Sequence, residues 1–278
     1  MNELQRLLSI VEELRRRLIR IAVVILPLFA FFNMFEIRWG KVPLLPWAIA
    51  YPWPSPFYNV TAQVFGWMRT QMLSGVQGQV TLLNLGVGDS VIAQMEIGLL
   101  LSVAVGMPWI VHEVGAFLMP ALRQNERALI KSIGIPATLL FILGFTIGLL
   151  WITPFTFLLL FKYVAAMGLA PVLSAESFLE FTLLYTLAFG IVFELPVFVY
   201  ALSRVGLVHA SAWRKHWRGA VIGCLVFGMI ITPDNSGITM LLIAIPMFGL
   251  YVAGLLAAER HQRRVDRTKL LTIPAGAA

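Results

Sequence analysis

The chain has 278 residues, of which 59% are hydrophobic and 13% charged, and its mean hydropathy is +0.84; soluble domains carry about 25% charged residues. This composition excludes a water-soluble globular protein, and the net charge of +7 is explained by basic loops beside anionic lipid rather than by nucleic acid. A single cysteine, Cys224, excludes an intramolecular disulfide and a cysteine-based metal site, so the expectation is one membrane domain over 1–278.

The chain opens MNELQRLLSIVEELRRRLIR. Here Leu4, Leu7, Leu8, Val11, Leu14 and Leu18 recur at helical spacing, which predicts an amphipathic surface helix over 1–20. Glu12–Arg16 and Glu13–Arg17 are i,i+4 pairs of favourable orientation. Taken alone, these charges describe a solvated, salt-bridged face. The stretch FFNMFEIRW that follows has no small-residue cleavage site, so the apolar run 21–35 is read as a retained span.

Residues 36–91 carry Trp39, Trp47, Trp53, Phe57, Tyr58 and Trp67 among prolines. Such rings favour the membrane interface, and the segment is read as an external cap of short helices. Apolar runs at 92–118, 133–161, 181–202, 219–232 and 238–258 bring the spans to six, each needing about 20 residues to cross. The fifth is short for a crossing, and ITPDNSG joins it to the sixth in a tight hairpin, so both are read as short spans beside locally thinned bilayer. Pro27, Pro108, Pro136, Pro154, Pro196 and Pro246 fall inside spans, where each removes a backbone hydrogen bond and tends to kink its helix. Kinked helices together predict an all-α protein with a concave wall.

Of the 21 Lys and Arg residues, 17 lie before the first span, between spans two and three, between four and five, or in the tail 258–278. Arg38, Lys41, Arg69 and Lys162 lie on the other side. The positive-inside rule therefore puts both termini in the cytoplasm.

Three acidic residues fall within apolar runs. Glu194 lies well inside the fourth span, where a carboxylate is costly unless paired, wet or protonated. Its plainest role is a protonated acid donating one hydrogen bond, yet ionisable groups at this depth are more often functional. Glu96 and Glu113 in the second span pose the same question more weakly, with His112 the simplest hydrogen-bond partner of Glu113. Glu126, at the start of a helix, is on its own mere dipole compensation. No nucleotide loop, zinc motif, nucleophile elbow or dinucleotide fingerprint occurs, so no catalysis, cofactor or metal is expected.

Several segments together resemble the TatC family, the polytopic component of twin-arginine protein translocation. EELRRRL is similar to the family's E-L-R-x-R-L motif through Glu13, Arg15 and Arg17. FLMPALRQNE resembles its F-x-x-P-x-L-x-x-x-E loop through Phe117, Pro120, Leu122 and Glu126. FELPV resembles the intramembrane F-E-x-P-V at Glu194 and Pro196, and the stretch from RKHWRG to ITPD matches at Arg214, Lys215, Thr232, Pro233 and Asp234. The chain departs from the family where Ile10, Val11 and Glu12 replace a usual histidine context and where Glu96 stands in place of a frequent lysine.

This resemblance implies a subunit of the prokaryotic cytoplasmic membrane that binds twin-arginine signal peptides. With single-span TatA- and TatB-type partners and by self-association, it would export folded proteins on the proton-motive force. Glu13 and Glu126, together on the cytoplasmic face, would receive the two guanidinium groups, oriented by Arg15, Arg17 and Arg127 and flanked by Phe117 and Pro120. Glu194 and Pro196 would meet a partner helix or the inserted signal peptide, and Thr232, Pro233 and Asp234 would form a structural turn. The rival reading is a proton-coupled small-solute transporter with Glu194 as the coupling carboxylate. It predicts an internal repeat, and no repeat relates the first three spans to the last three.

Overall fold

In a bilayer every backbone hydrogen bond must be satisfied within the protein, so long apolar segments become helices. A computed structural model describes residues 3–35, 37–39, 48–50, 59–73, 80–118, 124–170, 172–232 and 237–271. The side chains of 3, 4, 6, 7, 37–39, 48–50, 118, 124–132 and 265–271 fall outside that description. Ten α-helices are seen among the described residues: α1 (Glu3–Met34), α2 (Val60–Met72), α3 (Asp89–Leu118), α4 (Gln124–Ile147), α5 (Thr153–Ala166), α6 (Ala175–Val192), α7 (Leu195–Arg204), α8 (Ala210–Lys215), α9 (Trp217–Ile231) and α10 (Ile238–Leu271).

Five stretches are long and apolar enough to cross a membrane: Leu8–Met34, Asp89–Phe117, Ile133–Ala166, Ala175–Arg204 and Ile238–Arg264. The apolar helix α9 has 15 residues. At 1.5 Å per residue it is about 22 Å long, short of a hydrocarbon core of about 30 Å.

Two expectations are corrected here. The amphipathic segment 1–20 and the first span are one helix of 32 residues, α1, because nothing in RIAVVIL interrupts the turn. The last span is not short: α10 runs for 34 residues, well into the expected tail. From Leu255 to Leu271 the chain has neither glycine nor proline and is rich in Ala, Leu and Arg, all strong helix formers.

The chain packs as two compact units, Met1–Phe117 with Phe145–Leu187, and Leu118–Gly144 with Ala188–Ala278. In the first, α2 lies beside α1 and α5, and a polar knot holds its start. Asn59 is 1% exposed, and its Nδ2 donates to Asn33 O at 2.8 Å and to Gln94 Oε1 at 3.1 Å. Its Oδ1 accepts from Ala62 N and Thr61 Oγ1, capping α2. The core of this unit is aromatic: the Phe157 ring stands 5.2 Å from that of Phe178 and 4.8 Å from that of Phe181, which stacks on Tyr185 at 4.3 Å.

The segment 36–91 holds strands as well as a helix. β1 (Ile37–Trp39) and β2 (Ala48–Ala50) pair antiparallel, and β3 (Thr81–Leu83) pairs in parallel with β4 (Val172–Ser174). Of the expected run of short helices, the described residues include α2, and the described strands before it pair as the β1–β2 ladder.

In the second unit α10 packs along α7, α8 and α9. Tyr251 Oη donates to Trp213 O at 2.7 Å, Trp213 Nε1 donates to Ser203 Oγ at 3.1 Å, and Arg214 pairs with Glu259 at 2.9 Å. Cys224 is a buried free thiol.

The prolines act unequally. Pro27, Pro108, Pro136 and Pro246 lie inside continuous helices, whereas Pro154 and Pro196 open new ones. Before Pro154 the helix widens into a π segment, Gly148–Ile152, and Thr153 Oγ1 donates to Gly148 O at 2.8 Å. Before Pro196 the fourth span breaks at Phe193 and Glu194, since Pro196 offers no N–H to Val192 O.

Candidate functional site

Residues 13, 17 and 20 share one face of α1, and that face meets the end of α3 at Glu113. Arg17 bridges the two helices. Its Nη2 donates to Glu13 Oε1 at 3.0 Å and its Nη1 to Glu113 Oε2 at 3.0 Å. The Glu113 side chain is 3% exposed, Arg17 17% and Glu13 35%. A carboxylate as buried as Glu113 is costly without a cation; Arg17 supplies it, with Arg20 Nη1 at 3.8 Å.

His112 does not hydrogen-bond Glu113 as expected from sequence. Its Nδ1 is 3.9 Å from Glu113 Oε1, beyond hydrogen-bond length, and its ring stacks on Trp109 at 5.6 Å. Trp109 Nε1 in turn donates to Arg20 O at 3.3 Å. Neighbouring Glu12 and Arg16 form an exposed pair at 3.1 Å.

Together Ser9, Glu12, Glu13, Arg16, Arg17 and Arg20 line a recess of about 340 Å³. Among the described residues, Glu13 is engaged through Oε1 only. Its second oxygen can accept from a further donor, and a guanidinium is the group best matched to a carboxylate edge.

Arg15 is exposed and, among the described residues, pairs with no carboxylate. Phe117 is partly buried on α3, one turn beyond Glu113. Glu126 and Arg127 lie in the first turns of α4, with side chains outside the described residues, as is Pro120. Glu113 is the member that sequence reasoning left unassigned; its signal was a carboxylate near the end of an apolar helix.

Glu194 sits at the break between α6 and α7. Its N–H donates to Ile191 O at 3.0 Å and its carbonyl starts α7 by accepting from Phe198 N at 2.9 Å. Glu194 Oε1 is buried with no hydrogen-bond partner among the described residues. The break is wedged by close packing: a Cβ on Gly144 would lie 2.5 Å from Phe193 Cγ, and one on Gly254 would lie 2.7 Å from Pro196 Cα. Thr232 ends α9, its Oγ1 donating to Gly228 O at 3.0 Å, while Pro233 and Asp234 lie outside the described residues. Glu96 Oε2 is likewise buried without a hydrogen-bond partner among the described residues, against Met68, Ile97, Leu100, Leu179 and Leu183.

Comparison with known proteins is consistent over nearly the whole length. A solved structure of a twin arginine translocase receptor, TatC, is similar with a TM-score of 0.70 and 24% identity, over 90% of this chain and 98% of that one. The Sec-independent protein translocase protein TatC of Cenarchaeum symbiosum (strain A) is 37% identical over 91% of this chain and 94% of its own length. That of Azotobacter chroococcum mcd 1 is 27% identical over 91% and 89%. Nothing in these relationships supports a solute transporter. The family model for the Sec-independent protein translocase protein TatC matches residues 9–246, and the chain belongs to the TatC family.

Proposed function

We propose that this protein is the subunit of a twin-arginine translocase that receives the signal peptide at the α1 face bearing Glu13. The observation that carries this reading is the state of Glu13: a partly exposed carboxylate in a charged recess, held through Oε1 by Arg17, with its other oxygen unengaged among the described residues. Paired arginines present two planar forks, and a pre-oriented carboxylate accepts such a fork at little entropic cost. Glu126 is the second carboxylate in this proposal, and Arg15, Arg17 and Arg127 orient the pair, with Phe117 and Pro120 shaping the apolar side. Thr232, Pro233 and Asp234 form the turn between the last two spans.

The same proposal gives the chain six spans, with α9 as the short one and both termini in the cytoplasm, as the distribution of Lys and Arg argues. It resides in a prokaryotic cytoplasmic membrane and acts on the proton-motive force without catalysing a reaction. Membrane lipids, further copies of the chain and single-span TatA- or TatB-type proteins are its partners, and Glu194 with Pro196 is the polar point those helices meet. The short α9 thins the adjoining bilayer.

Site-specific crosslinking to a twin-arginine precursor tests the reading. Glu13→Ala and Glu126→Gln should lose both the crosslink and export; variants that retain both at parental level would remove these residues from the receptor site.

A further inference from the structure

Arg17 divides its guanidinium between two carboxylates that differ sharply in setting. One arm, Nη2, is on Glu13; the other, Nη1, is on Glu113, which is almost wholly buried. With Glu12 and Arg16 paired to each other, the described charges left in this cluster are Glu13 and Glu113 against Arg17 and Arg20, two of each sign. Without the Glu113 charge, Glu13 would be the one described carboxylate left to balance Arg17 and Arg20. The peptide arginine would then have to displace a protein arginine to reach it.

The geometry sharpens this. A guanidinium that is free on both arms engages both oxygens of one carboxylate as a fork. Arg17 cannot do so with Glu13 while Glu113 holds Nη1, and one Glu13 oxygen is thereby kept open. We infer that Glu113 is a positioning residue: it holds Arg17 from the buried side, so that Arg17 orients Glu13 without occupying it or competing with a cationic ligand. This inference rests on the reading of Glu13 as a receptor for a peptide guanidinium. It adds a residue outside the E-L-R-x-R-L and F-x-x-P-x-L-x-x-x-E patterns.

The test is the affinity of a synthetic twin-arginine signal peptide for the full chain in detergent, at low and high salt. Glu113→Gln should weaken binding on the order of tenfold at low salt, the effect of one charge removed close to the recess, with the deficit shrinking as salt screens the unbalanced Arg17. Glu113→Asp, which keeps the charge, should stay near parental. Adding Arg17→Gln to Glu113→Gln should improve binding over Glu113→Gln alone because the competing fork is gone; a merely structural role predicts further loss.

Parental affinity in Glu113→Gln, or a double variant no better than Glu113→Gln, overturns the inference. If Glu13→Ala has lost binding in the same series, the receptor reading survives that failure; if Glu13→Ala binds like the parent, both fall. Should Glu113→Gln alone not fold, the double variant carries the test, since removing both buried partners spares an uncompensated charge. Binding as weak as that of Glu13→Ala would then overturn the inference.

Discussion

Arg17 Nη1 lies 3.0 Å from Glu113 Oε2 although the residues are 96 positions apart. This contact joins the basic end of α1 to the end of α3, and it sets the environment of Glu13 one turn away. It also makes the two residues energetically inseparable, because each is the reason the other can be buried.

Arg17→Ala strands the Glu113 carboxylate with only Arg20 at 3.8 Å. The expected loss of stability is about 3 kcal/mol, the low end of the range for removing one partner of a buried pair, because Arg17 is itself partly exposed and Arg20 remains nearby. Thermal unfolding in detergent measures it, and adding Glu113→Gln should recover more than half of the loss. A double variant no more stable than Arg17→Ala would mean the two residues are not coupled.

Asn59 ties the start of α2 to both α1 and α3 and caps α2 through Oδ1. Asn59→Ala removes the cap and leaves Asn33 O and Gln94 Oε1 without that donor, at an expected cost of about 2–3 kcal/mol. Limited proteolysis of the segment before α2, compared with the parent, should show faster cleavage.

Gly144→Leu drives a side chain into Phe193 and the Phe189 carbonyl. Overpacking of this kind costs about 1–3 kcal/mol, and here the strain falls on the break that carries Glu194. Export of a twin-arginine precursor should drop while crosslinking at Glu13 persists; an export rate equal to the parent would show that the break tolerates displacement.

Glu194→Ala should block export with signal-peptide binding retained, if Glu194 meets a partner helix rather than the twin arginines. Export assays paired with crosslinking separate the two steps. Loss of binding together with export would instead assign Glu194 to peptide capture.

Much of this protein was legible in one dimension. Hydropathy located the long apolar helices because a bilayer leaves no other way to satisfy their backbones. The local spacing of Glu13, Arg15 and Arg17 on one helix, and the F-E-x-P-V context of Glu194, pointed to the family on which the comparisons agree. Sequence reasoning also marked the 219–232 run as too short for comfort, and α9 is short. It misjudged 238–258, because hydropathy stops at Ala258 whereas helix propensity carries α10 on to Leu271.

Composition and periodicity thus determined the membrane class and the long helices, and the resemblance of short motifs pointed to the family, since each depends on neighbours within a few residues along the chain. The pairing of Arg17 with Glu113, the release of His112 to Trp109 and the wedging of the Glu194 break by Gly144 and Gly254 were decided only by tertiary structure. Each is a contact between segments far apart in sequence, and its energy depends on burial and on which atoms face one another, neither of which spacing along the chain encodes.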